Sequence, residues 1–404
     1  MTKRLTAFIA LAIAFMLAVC ALPGCKSSKK NNSGKPDGSS TAAPEKEPVK
    51  MMDVYGIGGN KIASIPQDSE ATVFDSGIFY SVTKDEDEET STYTAEYHML
   101  SEDGTDVQLG SLAFVGYETS YARTELGGCI YSTYTEGSLA DFSEDNLYLL
   151  RFDLAAKKIE RYLISEAGYP YTSVTVANGK ILVMNYEQDD SSANTVYEFD
   201  PMFNKVRKVL TYTATPGGTG GMRGICGTTD GFILLRLDLS GSNKLYAERY
   251  DKGYNKVSET LISDCIVEAA GKFLTPEDAA QEPAHLVFGL RVSDDRYLFY
   301  RNASTTCAVI DLETANLLFA GDSNCEMSTG DGTPVVFKPQ YAKEESGKSF
   351  SITGIKGGET AAITVAPADS SQRLLSISAA KNGRILMRLV GNDSTHSYLL
   401  YDLK

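Results

Sequence analysis

Tyr250-Asp251-Lys252-Gly253-Tyr254-Asn255-Lys256-Val257 is the stretch that decides the architecture. An aromatic–Asp pair leads into a polar turn, and an apolar residue returns six positions after the Asp. The pattern recurs at Phe152-Asp153 to Ile159, at Phe199-Asp200 to Val206 and at Ile310-Asp311 to Leu317, and Tyr401-Asp402 begins another copy. The Asp carboxylate accepts backbone N–H groups two residues on, so it closes a hairpin between strand-like runs. A hairpin that returns at intervals of about 50 residues predicts a stacked repeat.

A second marker keeps the same period. Tight-turn pairs precede apolar runs at Ser76-Gly77, Gly127-Gly128, Asn178-Gly179, Asp230-Gly231, Asp294-Asp295, Asp331-Gly332 and Asn382-Gly383. Asn-Gly and Asp-Gly suit the positive φ of two-residue hairpins. The runs that follow, such as Ile181-Leu182-Val183-Met184 and Phe232-Ile233-Leu234-Leu235, are continuously apolar, as befits strands buried on both faces between neighbouring sheets. Each unit therefore reads as four strands, a to d, with the Gly turn joining a to b, a longer loop joining b to c, and the aromatic–Asp hairpin joining c to d. The first and sixth units carry irregular c–d turns, at Leu100-Ser101-Glu102-Asp103-Gly104 and Ile355-Lys356-Gly357-Gly358. In the fifth, Thr275-Pro276-Glu277-Asp278-Ala279-Ala280-Gln281 reads as one inserted helical turn capped by Thr275. Helix signals are otherwise almost absent.

The seventh unit stops after its third strand at Leu399-Leu400-Tyr401-Asp402, while an extra strand, Met51-Met52-Asp53-Val54-Tyr55-Gly56-Ile57, precedes the first unit. If that strand completes the last sheet, the ring has no open edge. On this evidence residues 51–404 resemble the seven-bladed β-propeller family. The resemblance implies an all-β fold of four-stranded antiparallel blades, the last closed by the N-terminal strand. In that scheme the tether enters at the start of a d strand, so the N-terminal segment is expected to attach opposite the b–c loops.

The first fifty residues carry their own signals. Lys3-Arg4 and the apolar run from Leu5 to Leu22 have the form of a secretory signal, expected over residues 1–24. The run ends Leu22-Pro23-Gly24-Cys25, which resembles the lipobox of bacterial lipoproteins, although Pro23 is an unusual occupant. That resemblance implies cleavage before Cys25 and a diacylglyceryl group on its thiol, an anchor of two acyl chains. An uncleaved membrane helix is the alternative reading. Residues 25–50, rich in Lys, Ser, Gly, Pro and Glu, read as a solvated tether. Its lysines are placed to touch anionic headgroups, or simply to confer solubility. The expected location is the cell membrane, lipid-anchored, with the folded domain on the extracytoplasmic side.

Composition narrows the function. Beyond residue 50 the chain has 30 basic and 50 acidic residues, a net charge near −20 that argues against nucleic acid as a partner. Cys129, Cys226, Cys265, Cys307 and Cys325 show no CxxC spacing and read as buried thiols. There is no Trp, no G-x-S-x-G elbow and no H-E-x-x-H, so tryptophan-dependent propeller motifs and the common hydrolase signatures are missing. His98, His285 and His396 lie in different units and are not expected to meet on a metal. Gly217 to Gly224 is Gly-rich, but strand follows where a phosphate loop needs a helix, so it reads as a d–a crossing. No cofactor and no catalytic set is expected.

What remains is a face. The b–c loops are acidic, with candidate binding residues Asp85, Asp87, Asp141, Asp189, Asp190, Glu344 and Glu345 and, beside them, Glu136. Carboxylates from several blades on one rim attract a cationic ligand or a protein partner, or merely solvate the domain. Tyr121, Tyr169, Tyr171 and Tyr341 are placed near the same loops and offer stacking area. The expectation is a monomeric binding or scaffolding propeller. The alternative is a propeller lyase or glycoside hydrolase using carboxylates at the channel mouth.

Overall fold

A computed structural model describes residues 49–402, apart from 88–91, 116–122, 139–140, 167–172, 187–192, 214–219, 239–243, 285–290, 294–296, 302–305, 323–325, 328–334, 338–349, 357–358, 366–371, 381–382 and 392. The described residues belong to one unit, Val49–Lys404, and fold as a β-propeller. Two N-terminal strands, β1 (Met51–Tyr55) and β2 (Lys61–Pro66), precede the repeats. The first sheet holds β3 (Glu70–Phe74), β4 (Gly77–Asp87), β5 (Thr92–Leu100) and β6 (Asp106–Val115). The second holds β7 (Arg123–Leu126), β8 (Cys129–Ser138), β9 (Asp141–Asp153) and β10 (Lys158–Ser165). The third holds β11 (Ser173–Ala177), β12 (Lys180–Tyr186), β13 (Ala193–Phe199) and β14 (Val206–Thr213). The fourth holds β15 (Gly220–Thr228), β16 (Gly231–Asp238), β17 (Lys244–Asp251) and β18 (Lys256–Leu261). Two helices follow, α1 (Ser263–Ala270) and α2 (Pro276–Ala279). The fifth sheet holds β19 (Arg291–Ser293), β20 (Tyr297–Arg301), β21 (Thr306–Asp311) and β22 (Asn316–Asp322), and the sixth β23 (Glu326–Met327), β24 (Val335–Phe337), β25 (Phe350–Lys356) and β26 (Glu359–Val365). The last repeat supplies β27 (Arg373–Ala379), β28 (Arg384–Val390) and β29 (His396–Asp402).

The repeated turns act as their chemistry requires. Asp153 Oδ1 accepts from the N–H groups of Ala155 and Ala156, Asp200 Oδ1 from Met202, Asp251 Oδ1 from Gly253 and Asn255, and Asp311 Oδ1 from Glu313. Each turn then passes through one residue of positive φ: Lys157, Phe203, Tyr254 and Ala315. The carboxylate satisfies N–H groups that the ladder leaves over, which offsets the cost of the left-handed residue. Asp251 is held below the usual carboxylate range chiefly by the Asn255 backbone N–H and side chain, so the turn is made by the ionised form.

Apolar clusters join consecutive sheets. Phe74, Phe79 and Tyr97 of the first sheet meet Ile130, Leu150 and Phe152 of the second. Tyr297, Val309 and Val336 link the fifth to the sixth, and Val73, Ile78 and Tyr80 link the first to Leu386, Tyr398 and Leu400 of the last repeat. Inner strands approach closely where side chains are absent: a Cβ on Gly227 of β15 would lie 1.6 Å from the Val176 carbonyl oxygen of β11. Helix α2 has the expected Thr275 cap, whose side chain accepts from the Asp278 N–H. Helix α1 was not expected. It seats Cys265, Ile266, Ala269 and Ala270 against the fourth and fifth sheets, with Cys265 Sγ 3.0 Å from the Ala315 carbonyl oxygen. Cys129, Cys226, Cys265 and Cys307 are buried thiols outside any disulfide, and Cys325 lies outside the described residues.

Closure departs from the expectation of seven four-stranded antiparallel blades, the last closed by the N-terminal strand. Six sheets have that form; the remaining one has five strands, in the order β2-β1-β29-β28-β27. The N-terminal strand does lie outside β29, but it runs parallel to it, with Asp53, Val54 and Tyr55 opposite Ser397, Tyr398 and Leu399. The reason is β2, which sequence reading overlooked. The chain reverses at Gly56–Asn60, and β2 returns antiparallel to β1 before entering β3. Because β2 must end where inner strands begin, β1 must start there as well. The chain therefore enters on the b–c face, not the opposite one: Gln67 N–H donates to the Lys50 carbonyl at 2.8 Å, and Gln67 Nε2 to that of Ser394, in the β28–β29 turn, at 3.1 Å.

Magnitudes decide what holds β1. Met52 and Val54 are 1% and 0% exposed. Burying such side chains stabilises by about 1.5–3 kcal/mol each. The Asp53–Lys61 pair, at 2.7 Å, is substantially solvated and belongs to a class of interaction that contributes about 0–1 kcal/mol. Val54→Ala is expected to lower unfolding stability by about 2 kcal/mol and Asp53→Ala by less than about 1 kcal/mol, measured by urea denaturation; the reverse order would transfer the role to the ion pair.

Candidate binding face

The b–c face is built by the ends of b strands and the starts of c strands. Two of its hairpins are long. β4 has 11 residues and β8 has 10, against 8 in β16, and β9 has 13. At about 3.4 Å per residue these two hairpins rise roughly 7–10 Å further than that of the fourth sheet. Asp85 and Asp87 were expected in a loop, yet they are ladder residues, opposite Thr94 and Thr92; Asp141 likewise pairs with Ser138. The β-favouring run Thr92-Tyr93-Thr94 and its counterpart Thr133-Tyr134-Thr135 extend the ladders beyond the point where charge alone suggests a loop. Asp189, Asp190, Glu344 and Glu345 lie outside the described residues, as do Cys25 and the four tyrosines placed near the loops.

Lower on these hairpins the charges are already engaged. Glu136 stands 3.7 Å from Arg161 of β10. The same guanidinium donates to Tyr134 Oη at 3.1 Å and lies 5.1 Å over the Tyr148 ring. Burial is the main cause that pushes the Tyr134 hydroxyl up to about 12. In the first sheet Lys84 pairs with Glu96 at 3.1 Å. His98 sits 3.3 Å from Asp106 and stacks on Tyr80 with ring centroids 4.8 Å apart. His396 belongs to the closing sheet and His98 to the first, and His285 lies outside the described residues. Among the described residues no group of His, Cys, Asp and Glu is disposed to hold a metal. The Gly-rich stretch is inner strand from Gly220 onward, with 214–219 outside the described residues.

One buried carboxylate at the centre of several donors escaped sequence reading altogether. Glu248 on β17 accepts from Arg236 Nε at 2.6 Å, from Tyr250 Oη at 2.8 Å and from Lys256 Nζ at 3.1 Å, with its side chain 5% exposed. Burial pushes its carboxyl upward, but the three donors outweigh it and hold the group below the usual range. Glu198 of the third sheet accepts from Arg207 Nε at 3.0 Å and from the Tyr254 hydroxyl of the fourth. Except for Glu248 and Tyr250, two residues apart on one strand, the partners lie on different strands or turns, 8 to 56 residues apart in the chain, which hid them. All described carboxylates with a resolved shift are lowered: Asp53, Asp103, Asp153, Glu160, Asp200, Glu248, Asp251 and Asp393. A general acid needs the opposite direction.

No protein-family model matches the chain. No curated protein matches it either. Among solved structures the chain is similar to one described as "Crystal Structure of Mitotic Checkpoint Complex", at 10% identity and a TM-score of 0.45, covering 94% of this chain and 100% of that one.

Glu248→Ala removes the acceptor shared by the part-exposed Arg236, the half-exposed Lys256 and Tyr250, and is expected to cost about 1–3 kcal/mol in urea denaturation. Because the folded carboxyl is depressed, its contribution is present above the ordinary glutamate range and is lost as the pH falls through the folded value. In Glu248→Gln the acid-dependent part of the denaturation midpoint should therefore shrink; an unchanged acid profile would mean that Glu248 stabilises through shape alone.

Proposed function

We propose that this protein is a lipid-anchored lipoprotein on the extracytoplasmic side of a cell membrane, and that its propeller is a binding or scaffolding module for a partner with a basic surface. The observation that carries the reading is the pair of elongated hairpins, β4–β5 and β8–β9, which raise Asp85, Asp87 and Asp141 on adjacent blades of the face where the chain enters. A β-propeller fits such a role, since a rigid ring presents loops from many repeats on one surface. The anchoring rests on Leu22-Pro23-Gly24-Cys25 and the apolar run before it. In this reading the five-stranded sheet serves as a seventh blade, and the acidic Asp189, Asp190, Glu344 and Glu345 continue the rim. The anchor then draws on the same face that binds, so the partner is one found close to the membrane.

Two measurements test this with the full-length protein. Replacing Cys25 by Ser is expected to abolish incorporation of labelled fatty acid and to move the protein out of the membrane fraction; retention with undiminished label would sink the lipoprotein assignment. In pull-downs the retained partner should be released between about 0.05 and 0.5 M salt, because exposed charges act over roughly a Debye length. The triple change of Asp85, Asp87 and Asp141 to Asn should reproduce that release at low salt. Partner binding that survives both treatments would place the contact on an apolar surface instead.

A further inference from the structure

The closing sheet contains a histidine in a setting that penalises charge. His396 opens β29 opposite Val390 of β28, one residue before the Ser397–Asp53 register pair that begins the parallel contact with β1. Its Nδ1 is buried and has no hydrogen-bond partner. Met52 of β1, Val390 and Tyr398 nearby are 1%, 7% and 4% exposed, while the histidine itself is partly buried.

Charges of both signs stand around the histidine, the nearest influences being positive. Arg388 stands on β28 and Arg373 on β27, and both disfavour a proton on the imidazole. On the negative side stand Asp393 in the turn three residues before the histidine, Glu70 at the start of β3 and Asp53 of β1. Asp53 is already engaged by Lys61 of β2 at 2.7 Å and by Ser64 at 2.8 Å. The histidine also lies among the bonds that fasten the N-terminal hairpin. Arg388 Nη2 donates to the Gln67 carbonyl at 3.3 Å, Gln67 Nε2 to that of Ser394 at 3.1 Å, and Tyr398 Oη to that of Ser69 at 3.3 Å. All three fix the segment that leads from β2 into β3.

We propose that His396 makes the seam between β1–β2 and β29 an acid-sensitive latch, shut while the ring is neutral and loosened when a proton adds a third positive charge beside Arg388 and Arg373. Burial first, then the two guanidiniums, pull the histidine below its ordinary value. The opened hairpin frees the ring to titrate near about 6.5. The open state therefore gains relative stability as the pH drops below that value, and the closed state keeps its full advantage above it. The device depends on the fold alone and stands whether or not the chain is lipidated.

The test is hydrogen exchange of the full-length protein between about pH 7.5 and pH 5, read as protection factors so that the intrinsic pH dependence of exchange cancels. Amides of residues 52–55 and 62–65 are expected to lose protection on acidification while those of β16 and β17 keep theirs. His396→Gln, neutral throughout, should hold its protection over the interval. Arg373→Gln, which removes one repelling charge without touching the hairpin bonds described above, should reduce the loss and raise the histidine's titration point in a ring-proton NMR titration. An undiminished loss in both variants, or a His396 ring that titrates at the ordinary value in the wild type, overturns the proposal.

Discussion

Three residues of β1 set beside three of β29 join the first described strand to the last, and the propeller depends on that contact. Each blade by itself is an antiparallel meander that local turns can organise. A ring is different, because its final sheet needs strands from both ends of the domain. Here the N-terminal end contributes two, and the loss of chain entropy on drawing them in is offset chiefly by the burial of Met52, Val54 and Ile65.

What was legible in the sequence was local. Asp251 and its counterparts fix turns through hydrogen bonds to residues two to four positions away, so their meaning survives without tertiary context. Asn178-Gly179 is just as local, both residues taking positive φ, and the buried strands after the Gly turns follow from composition. The Thr275 cap of α2 was equally readable, being a side chain that answers an N–H three residues on. The four-stranded antiparallel blade could be assembled from such pieces.

Features set by distant partners were hidden. The direction of β1 turns on whether one strand or two precede β3, and Lys61–Pro66 has no strict alternation to announce a strand. Helix α1 is short, and its apolar positions 265, 266, 269 and 270 are helical in spacing but sit amid strand-like runs. Asp85 and Asp87 looked like loop residues because their charge conceals that Thr94 and Thr92 face them across a ladder. The cluster of Glu248, Arg236 and Lys256 is assembled by register, which no local pattern encodes. Tyrosine shows both sides of this limit: abundance suggested packing, and Tyr97, Tyr131, Tyr134 and Tyr300 are indeed fully buried. Their polar ends needed the fold to find acceptors, as Tyr131 does at the Pro201 carbonyl and Tyr300 at that of Glu282.

The parallel course of β1 also sets how the domain bears a pull. Tension applied at residue 49, directed away from the b–c face, draws β1 backward along its own axis and past β29. The hydrogen bonds on either side of β1 are then strained together, in sliding, instead of parting one after another like a zip. Had the strand run the other way, the chain would have emerged at the opposite face and the same pull would have had to pass around the blade. The direction of one five-residue strand thus turns a closing contact into a grip against stretching.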